Sequence, residues 1–272
     1  MLNWSLFGVL SMQMYIYYVT FGTDPLHNKL LAYGVYLLEV IQTILLTQSC
    51  FHAFAQGFGD FNQMDEIGTL WFSVPTLSGV VACVAQLFYA YRIHILARSK
   101  FIVCAIIALS VLQLGGGIAT AVMSKRAIFH SHFLGPGSYK TTGVSQIWNG
   151  SSMLCDVIIA ICMIVCLSHR MNGLPSTRKL VKKIILLTVE TGSITAVVAL
   201  LNFILVLLPT RPTYFLTPVA ILGKLYSNSM MAVFNSRIHF SMANEQVSSA
   251  DPPELAHASL LRPRLQTSSE GR

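Results

Sequence analysis

The chain has 272 residues, 54% of them hydrophobic and only 11% charged, with a formal net charge of +7, whereas a soluble domain carries about 25% charged residues. Together with a mean hydropathy of +0.61, these figures exclude a soluble monomer, a disordered chain and a disulfide scaffold. The positive charge needs no nucleic acid to explain it. A membrane protein remains, whose apolar residues must come in runs of about 20 to cross a hydrocarbon layer of about 30 Å.

In chain order the runs are Leu2 to Phe21, Leu30 to Phe54, Leu70 to Ile93, Phe101 to Met123, Trp148 to Leu167, Ile184 to Leu208 and Tyr214 to Phe234. Backbone polar groups in lipid must find partners within their own segment, so each run predicts an α-helix. The alternating ten-residue pattern of barrel strands is absent. The predicted fold is an all-α membrane protein, a seven-transmembrane-helix bundle over residues 1–240. A serine- and proline-bearing cytoplasmic tail over 241–272 is expected to be disordered. No basic residue precedes the first run, which reads as a helix rather than a cleaved signal peptide.

Basic residues collect on the cytoplasmic side of membrane proteins. The connections after the first, third and fifth runs and the tail hold thirteen, among them Arg92, Arg178, Lys179, Lys182, Lys183 and Arg237; the opposite face holds Lys125, Arg126, Lys140 and Arg211. This predicts an N-terminus outside and a C-terminus in the cytoplasm. Trp4, Trp71 and Trp148 all fall at the predicted outer ends, where indoles favour the headgroup boundary. The sequons at Asn3 and Asn149 fall there as well. The basic inner face would attract anionic lipid; contact with a cytosolic signalling partner is the alternative.

Charge at bilayer depth costs at least about 2.5 kcal/mol unless paired or hydrated, so Glu39, Asp156, Glu190 and Lys224 must face inward. At 1.5 Å per residue, Glu39, Asp156 and Lys224 share the midplane, each about 12 to 15 Å from a helix end, and Glu190 lies nearer the cytoplasm. Lys224 is expected to pair with Asp156 or Glu39, with Gln42, Gln48 and Gln86 completing a polar network. Such a cluster either sets helix register or forms a ligand, ion or proton site. Pro75 and Pro218 predict kinks, and Gly115, Gly116 and Gly117 predict close helix approach.

The six cysteines lie within runs and lack metal-ligand spacing, so they read as small buried hydrophobes. His130 and His132 lack a third ligand, which predicts a solvated loop. A lysine in the seventh run invites comparison with retinal proteins, but the third run and the turn before Lys224 contain no acid, so no chromophore is expected. Neither catalytic nor cofactor motifs appear, and no enzyme is predicted.

The stretch Glu190-Thr191-Gly192, then Lys224-Leu225-Tyr226-Ser227-Asn228-Ser229 and Phe234-Asn235-Ser236-Arg237, resembles a large basidiomycete membrane family, the domain of unknown function 6534. The resemblance extends upstream to Leu6-Phe7-Gly8, Gln13, Tyr15, Tyr17, Tyr18 and Asp24. It implies a seven-helix fungal integral membrane protein and carries no catalytic or binding residue. Members of that family often have a longer N-terminus, and an Asp and histidines in the second helix where this chain has Glu39, Gln42 and Gln48. Polarity is kept there and imidazole chemistry is lost.

The leading functional expectation is a receptor-like membrane sensor, in part by analogy with other seven-helix proteins. Against it, Tyr91-Arg92-Ile93-His94 has no acid before the arginine, and the last helix lacks an Asn-Pro-x-x-Tyr pattern. The alternatives are a transporter or proton-coupled carrier using the midplane charges, and a structural or lipid-organising protein. The plasma membrane is the default location.

Overall fold

The structure, a computed structural model, describes residues 1–57, 69–97, 99–127, 139–170, 192–207 and 216–237, and no strand occurs among them. The helices are α1 (Leu2–Thr20), α2 (Leu26–Phe51), α3 (Leu70–Ala97), α4 (Lys100–Ala127), α5 (Tyr139–Arg170), α6 (Gly192–Leu207) and α7 (Leu216–Asn235). A π-helical turn at His52–Gln56 extends α2. Among the described residues four helices are long and apolar enough to cross a membrane: Leu26–Gln56, Leu70–Ala97, Lys100–Arg126 and Gly143–Cys166. Helix α6 is a shorter apolar helix over its described part. The polar residues of α1 and α7, Asn3, Ser5 and Gln13 in one and Lys224, Ser227, Asn228 and Asn235 in the other, dilute otherwise apolar sequences. These helices fall in the compact unit Met1–Asn235; Ser236–Arg272 is a separate unit.

Side-chain polarity is turned inside out. On α2, Leu30, Leu37, Ile41 and Ile44 point outward, while Glu39, Gln42 and Thr43 are buried. On α4, Ile107, Val111, Ile118 and Val122 face outward at helical spacing, and Ser110, Gln113, Thr120 and Ser124 face inward. Water outside would make this arrangement unfavourable, whereas hydrocarbon outside makes it the stable one.

Pairings between helices give their directions. Trp4 bonds Thr47 and Ser11 bonds Tyr36, so α1 and α2 run antiparallel. Ser49 bonds Thr69 and Gln42 bonds Ser78, which makes α2 and α3 antiparallel too. Trp148 lies against Gly116 and Cys155 against the Ile106 carbonyl, so α4 and α5 are antiparallel. Helices α1 and α7 instead run parallel: Asn3 donates to the Ala220 carbonyl, Asn228 to that of Leu6 and Asn235 to that of Gln13, at 2.8, 3.1 and 2.7 Å. The main core joins these two helices through Leu10, Met14, Tyr17, Tyr226, Met230 and Phe234.

Pro75 has no N–H to donate, and α3 widens around it into a π-helical turn, Ser73–Leu77. The Ser73 carbonyl accepts a hydrogen bond from Gln42 Nε2 at 3.4 Å, a side chain serving backbone loosened by the proline. Pro218 is the third described residue of α7.

Two outer-boundary signals change meaning. Trp148 is 6% exposed and packs with Val74 and Val219, so its ring fills the core instead of anchoring at headgroups. Asn3 and Asn149 are both buried and hydrogen-bonded, Asn149 Nδ2 donating to the Ser145 carbonyl at 2.8 Å. Interior packing has taken residues whose type alone suggested the surface. Trp4 stays partly exposed, and Lys125 lies over the Trp71 ring at 4.8 Å. All six cysteines are free; Cys83 and Cys155 are buried as expected, but Cys104 is exposed on the outer surface of α4.

Close approach depends on two of the three consecutive glycines. A Cβ on Gly117 would stand 2.9 Å from the Pro75 carbonyl oxygen, and one on Gly116 3.1 Å from Trp148 Cβ, whereas Gly115 meets nothing within 4 Å. Gly117→Ala is therefore expected to destabilise the protein by about 1–3 kcal/mol through overpacking, with Gly115→Ala nearly neutral. Thermal unfolding of the two variants in the same detergent measures the difference.

Candidate functional site

Helix α7 carries the groups that organise the buried core. Lys224 and Ser227 are three residues apart and share a face; Tyr226, two residues from Lys224, projects to nearly the opposite side. One turn of α7 thus reaches two different neighbours.

Toward α2, the Lys224 ammonium forms an ion pair with Glu39 Oε2, and both side chains are fully buried. The ammonium also donates to the Glu39 carbonyl at 2.9 Å and to Thr43 Oγ1 at 2.7 Å, while Ser227 donates to Glu39 Oε1 at 2.6 Å. Lys224 lies 5.1 Å from the Phe7 ring centroid, close enough for a cation–π contact. Every ammonium proton and both carboxylate oxygens have partners, the condition under which a buried pair is tolerated. Gln42 extends this group toward α3, Nε2 donating to Ser78 Oγ at 2.7 Å. A Cβ on Gly223 would stand 3.4 to 3.5 Å from Gln42, Ser78 and Glu39, so α7 lies close against this cluster.

Toward α3 and α5, Tyr226 donates its hydroxyl proton to Asp156 Oδ2. Gln86 Nε2 donates to Asp156 Oδ1 and to Gln113 Oε1, each at 3.0 Å, and the Tyr226 and Ser152 hydroxyls lie 3.3 Å apart. Asp156 is 3% exposed, and among the described residues no cation pairs with it.

Of the two partners open to Lys224 in the sequence, Glu39 is the one it meets, and Asp156 instead takes Tyr226 and Gln86. The single network expected from the sequence is thus two, with Gln42 in the first and Gln86 in the second. Gln48 belongs to neither: it lies on the exposed side of α2, about 180° by helical geometry from Glu39 and about 120° from Gln42. Glu190 lies outside the described residues, as do Arg178, Lys179, Lys182, Lys183 and both outer-loop histidines. Arg92 is half-buried, with its guanidinium 5.9 Å from the Phe88 ring, and Arg237 is partly exposed just after α7.

Thr43, Gln113, Ser152, Tyr226 and Ser227 complete the two networks without carrying formal charge, so charge in the sequence does not single them out. Helical spacing was the available signal, since Thr43 is four residues after Glu39 and Ser227 three after Lys224.

Fold and core together define a membrane-embedded protein, all-helical among the described residues, that buries one charge pair and one separate carboxyl. Residues 152–239 match a family of unknown function, DUF6534. No curated protein and no solved structure matches the chain. The matched segment contains Asp156, Lys224, Tyr226 and Ser227, whereas Glu39 and Gln86 come from helices before it.

Removing one member of a buried ion pair leaves the other uncompensated, at a cost of about 3–5 kcal/mol. Lys224→Met is expected to lose that much, and Lys224→Met with Glu39→Gln substantially less than the sum of the two single changes. In double-mutant cycles on unfolding free energy, Lys224 couples to Glu39 and shows no direct coupling to Asp156.

Proposed function

We propose that the chain is a fungal seven-helix integral membrane protein, N-terminus outside and C-terminus in the cytoplasm, that acts as a non-enzymatic, receptor-like sensor. The topology is supported by the parallel course of α1 and α7 between antiparallel neighbours, which puts the two ends on opposite sides of the bilayer when every helix crosses. The excess of basic residues on one set of connections supplies the orientation. The plasma membrane is the default location.

The observation that carries the sensor reading is the double engagement of α7. Lys224 ties it to α2 and Tyr226 ties it to α5, within one helical turn. A change at either attachment biases the position of the whole helix, whose far end leads to Arg237 and the tail. Helices held between two discrete arrangements are how small displacements inside a bundle become large ones at its surface. The basic inner connections, including Arg178, Lys179, Lys182 and Lys183, are the proposed surface for anionic lipid or a cytosolic signalling partner.

A carrier is the second reading, and Asp156 favours it, since a buried carboxylate without a cation is a feature of ion and proton routes. A lipid-organising role predicts neither partner nor flux.

Epitope tags at the two ends test the topology: the N-terminal tag should be accessible on intact cells and the C-terminal tag only after permeabilisation. For the sensor reading, native mass spectrometry of gently released protein should retain a cytosolic partner that is lost when Arg178, Lys179, Lys182 and Lys183 are changed to Ala. Proteoliposomes should move neither protons nor solute. Flux that disappears with Asp156→Asn would make the chain a carrier, and retained lipid alone would leave the lipid-organising role.

A further inference from the structure

With Glu39 and Lys224 neutralising each other, Asp156 is left as a core carboxyl without a compensating cation among the described residues. Its surroundings are arranged unusually. Gln86 Nε2 spends both of its protons, on Asp156 Oδ1 and Gln113 Oε1, while Gln86 Oε1 and Gln113 Nε2 are buried with no hydrogen-bond partner. Both glutamines are fully buried, so the idle atoms are not served by bulk solvent. One idle atom is an acceptor and the other a donor, and each is bonded to the same carbon as its occupied counterpart.

We propose that Asp156 is a proton-binding site, and that Gln86 and Gln113 form an amide pair able to serve both its ionised and its neutral state. In the arrangement described, Gln86 donates to the carboxylate. A half-turn of both terminal amides exchanges oxygen and nitrogen while leaving the heavy-atom frame almost unchanged, because the two atoms are nearly equal in size. Gln86 Oε1 then accepts from Gln113 Nε2 and from a proton on Asp156 Oδ1. Two hydrogen bonds exist before the exchange and two after it. The added proton comes from water and resides on Oδ1; the Tyr226 hydroxyl continues to donate to Oδ2.

A polar row along α5 supplies a route for that proton. Ser145, Asn149, Ser152 and Asp156 recur at intervals of four, three and four residues, which keeps them on one face, and all four are buried. The row spans about 16 Å, from the midplane toward the end of α5 nearer Tyr139. Asn149 also accepts a hydrogen bond from Asn202 of α6, and Ser152 meets Tyr226.

Among the described residues the other titratable groups near Asp156 are Tyr226 of α7 and Cys155 of α5, with Cys83 of α3 next to Cys155; α4 presents the neutral Gln113, and the ammonium of α7 is held by Glu39. A proton fits better than a metal ion. Both Asp156 oxygens already accept from N–H or O–H donors that a metal would have to displace, and no group of three His, Cys, Asp or Glu residues with metal-site geometry occurs among the described residues. The site does not depend on the sensor reading.

Infrared difference spectroscopy of the full chain in lipid nanodiscs, titrated with acid, tests it. The expected result is a buried carboxylic-acid C=O band that grows as pH falls, moves to lower frequency when the wild-type aspartate carboxyls carry ¹³C, and vanishes in Asp156→Asn. Gln86→Leu, which removes the amide from both arrangements, should shift the frequency of that band. The isotope experiment uses unaltered protein and so stands even if a variant fails to fold. Absence of the band in wild type, its insensitivity to the aspartate label, or its persistence in a folded Asp156→Asn protein would overturn the proposal. A titration midpoint that follows sodium concentration and ignores choline would replace the proton with a metal cation.

Discussion

An ammonium and a carboxylate sealed from solvent hold α7 against α2, and the rest of the interior is arranged around keeping them satisfied. Each would be costly alone in a medium without water. Thr43, Ser227 and the Glu39 backbone carbonyl complete their hydrogen bonding, and Phe7 closes one side with its ring. Those groups come from α1, α2 and α7, so three helices have their register set by one pair of charges. Bonds of Asn3, Asn228 and Asn235 to backbone carbonyls extend that register along the α1–α7 interface.

Between helices in lipid the hydrophobic effect supplies little drive, because hydrocarbon outside is as apolar as the side chains inside. Close packing and interhelical hydrogen bonds do the work instead. Gly116 and Gly117 let α4 approach Trp148 and the proline-widened turn of α3 to van der Waals contact. The same turn gives Gln42 a backbone carbonyl and a serine to bond, so one irregularity in α3 serves both the glycine interface and the charged core. Polar and small residues, unfavourable facing lipid, thereby become the specific contacts of the bundle.

The second buried group differs in kind. Around Lys224 the charges cancel; around Asp156, among the described residues, only neutral donors compensate, and two amide atoms beside it stand idle. A balanced pair favours one arrangement, whereas a lone carboxyl flanked by reversible amides is compatible with two. Tyr226 and Lys224 share a turn of α7, so the element held rigidly on one side borders the adaptable group on the other. The domain match covers α7 and most of α5 but not the helices that donate Glu39 and Gln86, so both polar groups join residues inside the matched segment to residues before it.

Composition and run length by themselves determined that this is a helical membrane protein, because hydrocarbon demands long apolar segments whose backbone is bonded internally. They also determined that Glu39, Asp156 and Lys224 turn inward, since exposure to lipid costs more than any neighbour recovers. The break at Pro75 was legible because it is a property of one segment; the glycine run was legible as a place of close approach, but only packing against α3 and α5 selected Gly116 and Gly117 over Gly115. Which acid meets Lys224 was decided only by tertiary structure, as were the division into two networks, the exclusion of Gln48 and the burial of Trp148 and Asn149. Helices of similar length bring many residues to the same depth, and depth is all that counting along a chain reports. Rotation about each helix axis and the identity of its neighbours decide which of those residues touch, and both arise from packing between segments distant in sequence.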